Sequence, residues 1–262
     1  MYLRAIHAEH HIPTLRAFIR AHPLGIFTTA IASPSNAFPL LQSSHIPWLL
    51  DVGDESSETE LGVLRGHLAR ANPQSKAMIE HLSAQQQAAA AGEGAPRTLE
   101  HDVLILFNAP AHHYVSPKFY VETKPATGKV VPTWDYAAVQ VYGKARVYFD
   151  ARSGATDAFL QKAVADLSER SEREIMGHEQ PWRVEDAPKP YVEALKKAII
   201  GVEVEITDMA GKWKMSQEMP EGDRKGVASG FEALGSELGR EVAEMVRERE
   251  DLMVRRKAEE KA

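Results

Sequence analysis

The sequence predicts an α+β protein, mainly antiparallel β, built as a barrel with appended helices. Three observations point there. Strand-like runs crowd the first 150 residues and return near 202, without the strand–helix alternation of a parallel sheet. Over 137–149, Ala137, Val139, Val141, Ala145, Val147 and Phe149 alternate with Gln140, Tyr142, Lys144, Arg146 and Tyr148. That period of two describes a long strand with one buried and one polar face. No internal repeat is present, and no GxGxxG follows a strand, so nothing suggests a doubly wound nucleotide-binding sheet.

Pro13 opens a short helix over 13–21, with Leu15, Phe18 and Ile19 on one face. Strands are expected over 24–31, 38–42, 44–50 and 61–68, divided by a SPSN turn at 33–36 and an acidic, serine-rich loop at 51–60. A helix from Pro73 runs into the Ala/Gln tract at 84–91 and stops at GEGAP, 92–96; this stretch and the 51–60 loop read as inserts. The strand at 102–108 carries VLILF, a run too continuous for a solvent face. Phe159, Leu160, Ala163, Val164 and Leu167 form one helical stripe. Val192, Leu195 and Ile199 form another, between Pro190 and Gly201. Val202, Val204 and Ile206 mark a further strand. Over 230–254, Phe231, Leu234, Leu238, Val242 and Met245 have the spacing of one amphipathic helix, followed by a charged tail. The domain organisation read from this is a barrel over 1–229 and a C-terminal helix with its tail over 230–262.

The chain has 262 residues, no cysteine and a formal net charge of -6. Lack of cysteine excludes disulfides, thiolate metal sites, iron–sulfur clusters and a catalytic thiol. The charge gives no global footprint for nucleic acid, so direct DNA binding is not expected. MYLRAIHAEHH lacks the apolar core of a secretory signal, and runs such as 103–107 are about a quarter of a membrane-spanning length. A soluble, cytoplasmic protein is the expectation. There is no phosphate-loop motif, no GxSxG elbow and no HExxH helix.

Four short stretches suit a planar, phosphorylated ligand. In GHLARANP and the residue before it, Arg65, His67 and Arg70 stand at a strand-to-helix junction, where arginine forks and helix-start amides match a phosphate. A solvated strand edge would carry the same charges. In HHYVSPKFY, 112–120, the adjacent His112 and His113 face opposite ways on an extended chain, with no further ligand at a defined spacing. No metal site is expected there. Trp134 and Tyr136 in VPTWDY offer flat surfaces for a ring, or simply core aromatics. GKWKMSQ, 211–217, groups two lysines, an indole, a hydroxyl and an amide, as a solvated loop also would.

Taken together, GHLARANP (66–73), HHYVSPKFY (112–120), KVVPTWDYAAVQVYG (129–143) and GKWKMSQE (211–218) resemble, in order and spacing, the PaiB family of FMN-binding split-barrel proteins. The similarity starts at the first helix and HPLGIFTTA (22–30) and ends near Ser229. Asp135 and Glu218 stand where the family has asparagine, and Phe119 where it has tryptophan. The resemblance implies an FMN-binding split β-barrel with peripheral helices, forming a homodimer with FMN at the subunit interface. It implies Arg65, His67, Arg70 and Asn72 at the phosphate end, and Thr133, Trp134, Tyr136, Lys214, Ser216 and Gln217 toward the ring. The family's regulatory label gives one function, in which any control of transcription is indirect. An FMN-dependent reductase or oxidase of a small molecule is the alternative, and a haem-binding or haem-degrading split barrel a second one, prompted by 11 histidines.

Overall fold

The computed structural model describes residues 1–89 and 97–259. The expected helix stop at 92–96 and the last three residues of the tail lie outside these. In chain order the elements are β1 (Ala8–Glu9), α1 (Ile12–Ala21), β2 (Leu24–Ala30), β3 (Leu41–Pro47), β4 (Leu49–Asp51), β5 (Val63–Ala69), α2 (Pro73–Ala89), β6 (Arg97–Thr98), β7 (Val103–Asn108) and β8 (His113–Val115). They continue with α3 (Thr123–Thr127), β9 (Thr133–Tyr148), α4 (Gly154–Arg170), α5 (Lys189–Lys197), β10 (Ile199–Lys214), α6 (Glu221–Glu232) and α7 (Glu237–Glu259). The α+β, mainly antiparallel class is what the structure has. None of the described helices is long and apolar enough to cross a membrane.

The chain divides into two units. The larger takes Arg16–Phe107 and Gln140–Met209; the smaller takes Met1–Leu15, Asn108–Val139 and Ala210–Ala262. β9 and β10 each contribute a part to both.

In the larger unit the strand order is β3-β2-β7-β9-β10-β5-β4. The β2/β3, β2/β7, β5/β10 and β4/β5 pairs are antiparallel, with Ile26 opposite both His45 and Leu106, and Gly201 opposite His67. The sheet curls. Asn72, just beyond β5, donates to Ser44 on β3 at 2.9 Å, and Gln74 donates to the Gln42 carbonyl of β3 at 3.2 Å, so strands far apart in the order meet. Inside the curl, Phe27, Ile46, Trp48, Leu64, Ile105, Phe107, Val141, Val147, Ile200 and Val202 exclude water. α2 closes one side through Ala77, Met78 and Leu82. Arg16, itself buried, donates to the carbonyls of Glu55, Ser57 and Glu60 and gives the acidic loop its shape.

In the smaller unit β8 pairs with the start of β9, His113 opposite Asp135, and β1 pairs with the end of β10, Ala8 opposite Lys212. α6 and α7 bring Val227, Phe231, Val242 and Val246 into a common core. Glu9 binds Arg249 at 3.0 Å, and the same guanidinium lies 4.0 Å from the centre of the Trp213 indole, so α7 is fastened at both faces of one arginine.

Four expectations need correction. The strands at 38–42 and 44–50 are one strand from Leu41 to Pro47 and a short β4. Pro39 has no N–H to give, and the Thr28–Ser43 side-chain bond carries the pairing through residues whose polarity suggested a break. The helix expected over 230–254 is two helices: Gly235, at φ 68°, takes the left-handed conformation that ends α6, its N–H bonded to the Glu232 carbonyl. The run at 103–107 alternates between buried Val103, Ile105, Phe107 and half-buried Leu104, Leu106. Tyr148, expected on a polar outward face, is covered by Phe159 of α4, the rings stacked 3.9 Å apart.

β9 passes β10 closely at Gly143. A β-carbon there would stand 2.4 Å from the Glu205 carbonyl oxygen and 2.6 Å from Val204 Cγ1. Neither can yield without opening the ladder. Gly143→Ala is expected to cost at least about 2 kcal/mol in urea unfolding; a variant as stable as the wild type would mean that the two strands are not held this closely.

Candidate functional site

The expected phosphate residues all fall in the larger unit, on β5 and the junction to α2. Their side chains differ sharply in how much charge they leave free. Arg65 is buried, and its guanidinium is paired with both oxygens of Asp51 and, at 2.8 Å, with Asp166. Two carboxylates therefore cancel its charge. Arg70 donates instead to neutral groups, the Phe149 carbonyl at 2.5 Å and the Lys197 carbonyl at 3.3 Å. It is positioned without being neutralised. Burial lowers the His67 imidazole below its ordinary value, which favours the uncharged ring, and its Nδ1 has no partner. Asn72 caps α2 by accepting from the Gln74 N–H at 2.9 Å.

The expected ring contacts all fall in the smaller unit, where β9 begins and β10 ends. Lys214 Nζ donates to Thr133 Oγ1 at 2.7 Å and to the Trp134 carbonyl at 3.0 Å. Trp134 is 48% exposed, its indole N–H bonded to His112 Nδ1 at 3.2 Å and its ring beside Tyr114. Thr133, Trp134 and Lys214 thus form one cluster. Tyr136 stands apart from it, under the Lys212 ammonium at 5.4 Å. Gln217 is occupied by its own turn: Nε2 donates to the Trp213 carbonyl and Oε1 accepts from the Met215 N–H, both at 2.6 Å. That turn holds Ser216 at φ 58°, unusual for a residue with a side chain, and aims its hydroxyl at Asp135 Oδ2, 2.9 Å away.

Four residues outside the expected set complete this region. Asp135 is 0% exposed; its Oδ1 has no hydrogen bond and lies 3.8 Å from Lys214 Nζ. Burial pushes the Asp135 carboxyl up to about 7, against the pull of Lys214 and Ser216. Burial also raises Glu218, but its bond to His7 at 2.9 Å and the charge of Lys214 outweigh this and hold it below the usual range. Tyr120 is pushed up to about 12 by burial and by the Asp135, Glu218 and Asp223 charges. Asp135 has the same parity as Ala137 and Val139 along β9, so the alternation already marks it as inward-facing. His7 and Glu218 are 211 positions apart, and no sequence spacing announces them.

FMN has a phosphate dianion and a flat ring with a hydrogen-bonding edge, and each unit, taken by itself, offers residues suited to one of these parts. Arg70 is a positioned cation with its charge intact. Trp134 is an exposed flat surface whose backbone carbonyl holds the Lys214 ammonium, and Asp135 Oδ1 is a buried acceptor lacking a donor.

The family model described as "Putative FMN-binding domain" matches residues 1–208. A protein of Emericella nidulans, described as uncharacterised, is 57% identical over 254 residues, covering 96% of this chain and 98% of its own. The Bacillus subtilis protease synthase and sporulation protein PAI 2 is 26% identical over 157 residues, covering 58% of this chain and 67% of its own. Among solved structures, a flavocytochrome from Azotobacter vinelandii is similar at 13% identity and a TM-score of 0.43, covering 81% of this chain and 72% of its own.

The Asp135 geometry has a measurable cost. Its carboxyl titrates near 7 in the fold and near 3.8 when unfolded, so the folded state is penalised progressively as pH rises from about 4 to 7, and steadily above that. Asp135→Asn removes the titration. Its stability relative to wild type, from urea unfolding, is expected to rise by about 3 kcal/mol between pH 4.5 and pH 8. A difference independent of pH would show that Asp135 titrates as an ordinary carboxylate.

Proposed function

The chain belongs to the family of FMN-binding domains, with FMN as its cofactor, and from that premise we propose a flavoprotein of the PaiB type that holds FMN at a homodimer interface and serves a regulatory role without itself contacting DNA. The observation that carries this reading is the Thr133–Trp134–Lys214 cluster. An ammonium fixed by a hydroxyl and by the backbone carbonyl of a residue whose indole is half exposed suits a flat, electron-poor ring with acceptors along its edge.

When bound, FMN supplies hydride or electron transfer at its ring. The chain's own contribution is binding and orientation. Arg70 meets the phosphate as a planar fork, held in place by two backbone carbonyls. Lys214 meets acceptors at the ring edge. Dimerisation is supported by Tyr114, Val131 and Trp134, all of the smaller unit and all exposed, the type of patch that a partner covers. A two-fold dimer would use that patch twice and give two equivalent sites. The case against direct DNA contact is charge: the chain carries -6, and α7 interleaves Arg240, Arg247 and Arg255 with Glu241, Glu244 and Glu248.

FMN is expected to raise the thermal midpoint of the purified protein and to be retained as a yellow species at dimer mass in sedimentation; no shift and no retention would overturn the reading. Arg70→Ala is expected to weaken FMN by about tenfold or more while leaving riboflavin within twofold. Equal loss for both ligands would remove Arg70 from the phosphate. Anaerobic mixing with NADH or NADPH separates the roles: a bound flavin that stays oxidised fits the regulatory reading, and one that bleaches replaces it with a reductase.

A further inference from the structure

The stretch HHYVSPKFY supplies none of the expected site residues, yet it surrounds the Trp134 indole in the smaller unit. Ala109 and Ala111 are buried, and the Ala109 N–H donates to the Ala137 carbonyl at 3.0 Å, which fixes the approach to β8. In the β8/β9 ladder Tyr114 stands opposite Trp134 and His113 opposite Asp135. Alternation along this segment puts His112 and Tyr114 on the face that carries Trp134. His113 turns the other way, its ring 5.4 Å from that of Phe231. Three exposed rings therefore share one face. The His112 imidazole lies 5.9 Å from the indole and is tilted by 38°, while Tyr114 meets the indole edge to face at 6.3 Å.

Trp134 Nε1 donates to His112 Nδ1 at 3.2 Å. An indole N–H can only donate, so Nδ1 must accept and the proton of the neutral imidazole sits on Nε2. Without that acceptor, a half-exposed indole is free to sample other rotamers, and each one lowers the share of molecules ready for a flat ligand. We propose that His112 is a positioning residue of the flavin site: by accepting the indole N–H it holds the Trp134 face ready for the flavin ring, with Tyr114 as a side wall. This rests on the flavin-binding reading and gives the HHYVSPKFY motif its part in that site. His112 acts through this one hydrogen bond and not through contact with the ligand.

The test measures dissociation constants for riboflavin, which lacks the phosphate and so bypasses Arg70, by quenching of flavin fluorescence. His112→Ala is expected to weaken binding roughly fivefold. His112→Gln, whose amide oxygen accepts the same N–H, is expected to recover most of that loss. Trp134→Phe keeps a flat ring and removes the N–H. In that background His112→Ala is expected to change binding by less than about twofold, because the bond it would remove is already gone. Losses that multiply in the double variant would mean that His112 touches the ligand, and would overturn the positioning role. Equal affinities of wild type and His112→Ala would overturn it too, as would a His112→Gln no better than His112→Ala. Long-range proton–nitrogen NMR of the full chain at alkaline pH gives a readout that needs no ligand: His112 is expected as the Nε2–H tautomer, and the Nδ1–H tautomer overturns the inference. In all these outcomes wild type binds riboflavin and the flavin reading stands. If wild type binds neither riboflavin nor FMN, that reading fails and takes this inference with it. Should a variant not fold, the wild-type tautomer decides alone.

Discussion

The inward parity of β9 places a carboxyl where water does not reach, and the end of β10 and the turn after it supply its partners. Ser216 adopts a left-handed backbone conformation to direct its hydroxyl at Asp135. Such strain costs about 1 kcal/mol or a little more, while a hydrogen bond to a charged group returns roughly 1.5–3 kcal/mol. The exchange is favourable only if the turn is held, and Gln217 holds it with both ends of its amide. Lys214 is drawn to the same place and is kept from collapsing onto Asp135 by Thr133 and the Trp134 carbonyl. The result is an ammonium with a defined position and an environment whose charge is set by its neighbour.

The same logic distinguishes the two arginines of β5 and its exit loop. Both look alike in the sequence, as planar cations five residues apart near a helix start. Arg65 meets Asp51 and Asp166, so its field largely vanishes a short distance away. Among the described residues Arg70 meets carbonyl oxygens alone, which orient a guanidinium without cancelling it. A motif specifies residue types. Whether a cation remains available to a ligand depends on which carboxylates the fold brings near it.

Much of the fold was legible because hydrophobic period and turn chemistry are local. The alternation over 137–149 identified the second half of β9, and Pro73 marked the start of α2 to the residue. The extent of β10 was not legible: its apolar alternation is clear only at Val202, Val204 and Ile206, while its last residues, Ala210–Lys214, form the strand by pairing with β1 at a distance of two hundred residues. The break between α6 and α7 was hidden by a hydrophobic spacing that continues across it, and Gly235 was the signal overlooked. Of the candidate site, the motifs located the right neighbourhoods. They did not reveal that Ser216 and Gln217 face inward, nor that His7 closes the charge group, because both depend on contacts between distant stretches of chain.

The smaller unit is drawn from three separated stretches, the first fifteen residues, 108–139, and everything after 209. A chain made from its N-terminus outward therefore carries β8 and the start of β9 for a long interval before Lys214, Ser216 and Arg249 exist to meet them. During that interval Asp135 is an ordinary solvated carboxylate. It loses its water only when the end of β10 and the Ser216 turn arrive, a closure of high contact order and correspondingly slow. The order of synthesis thus makes the charge group one of the last features of the protein to form.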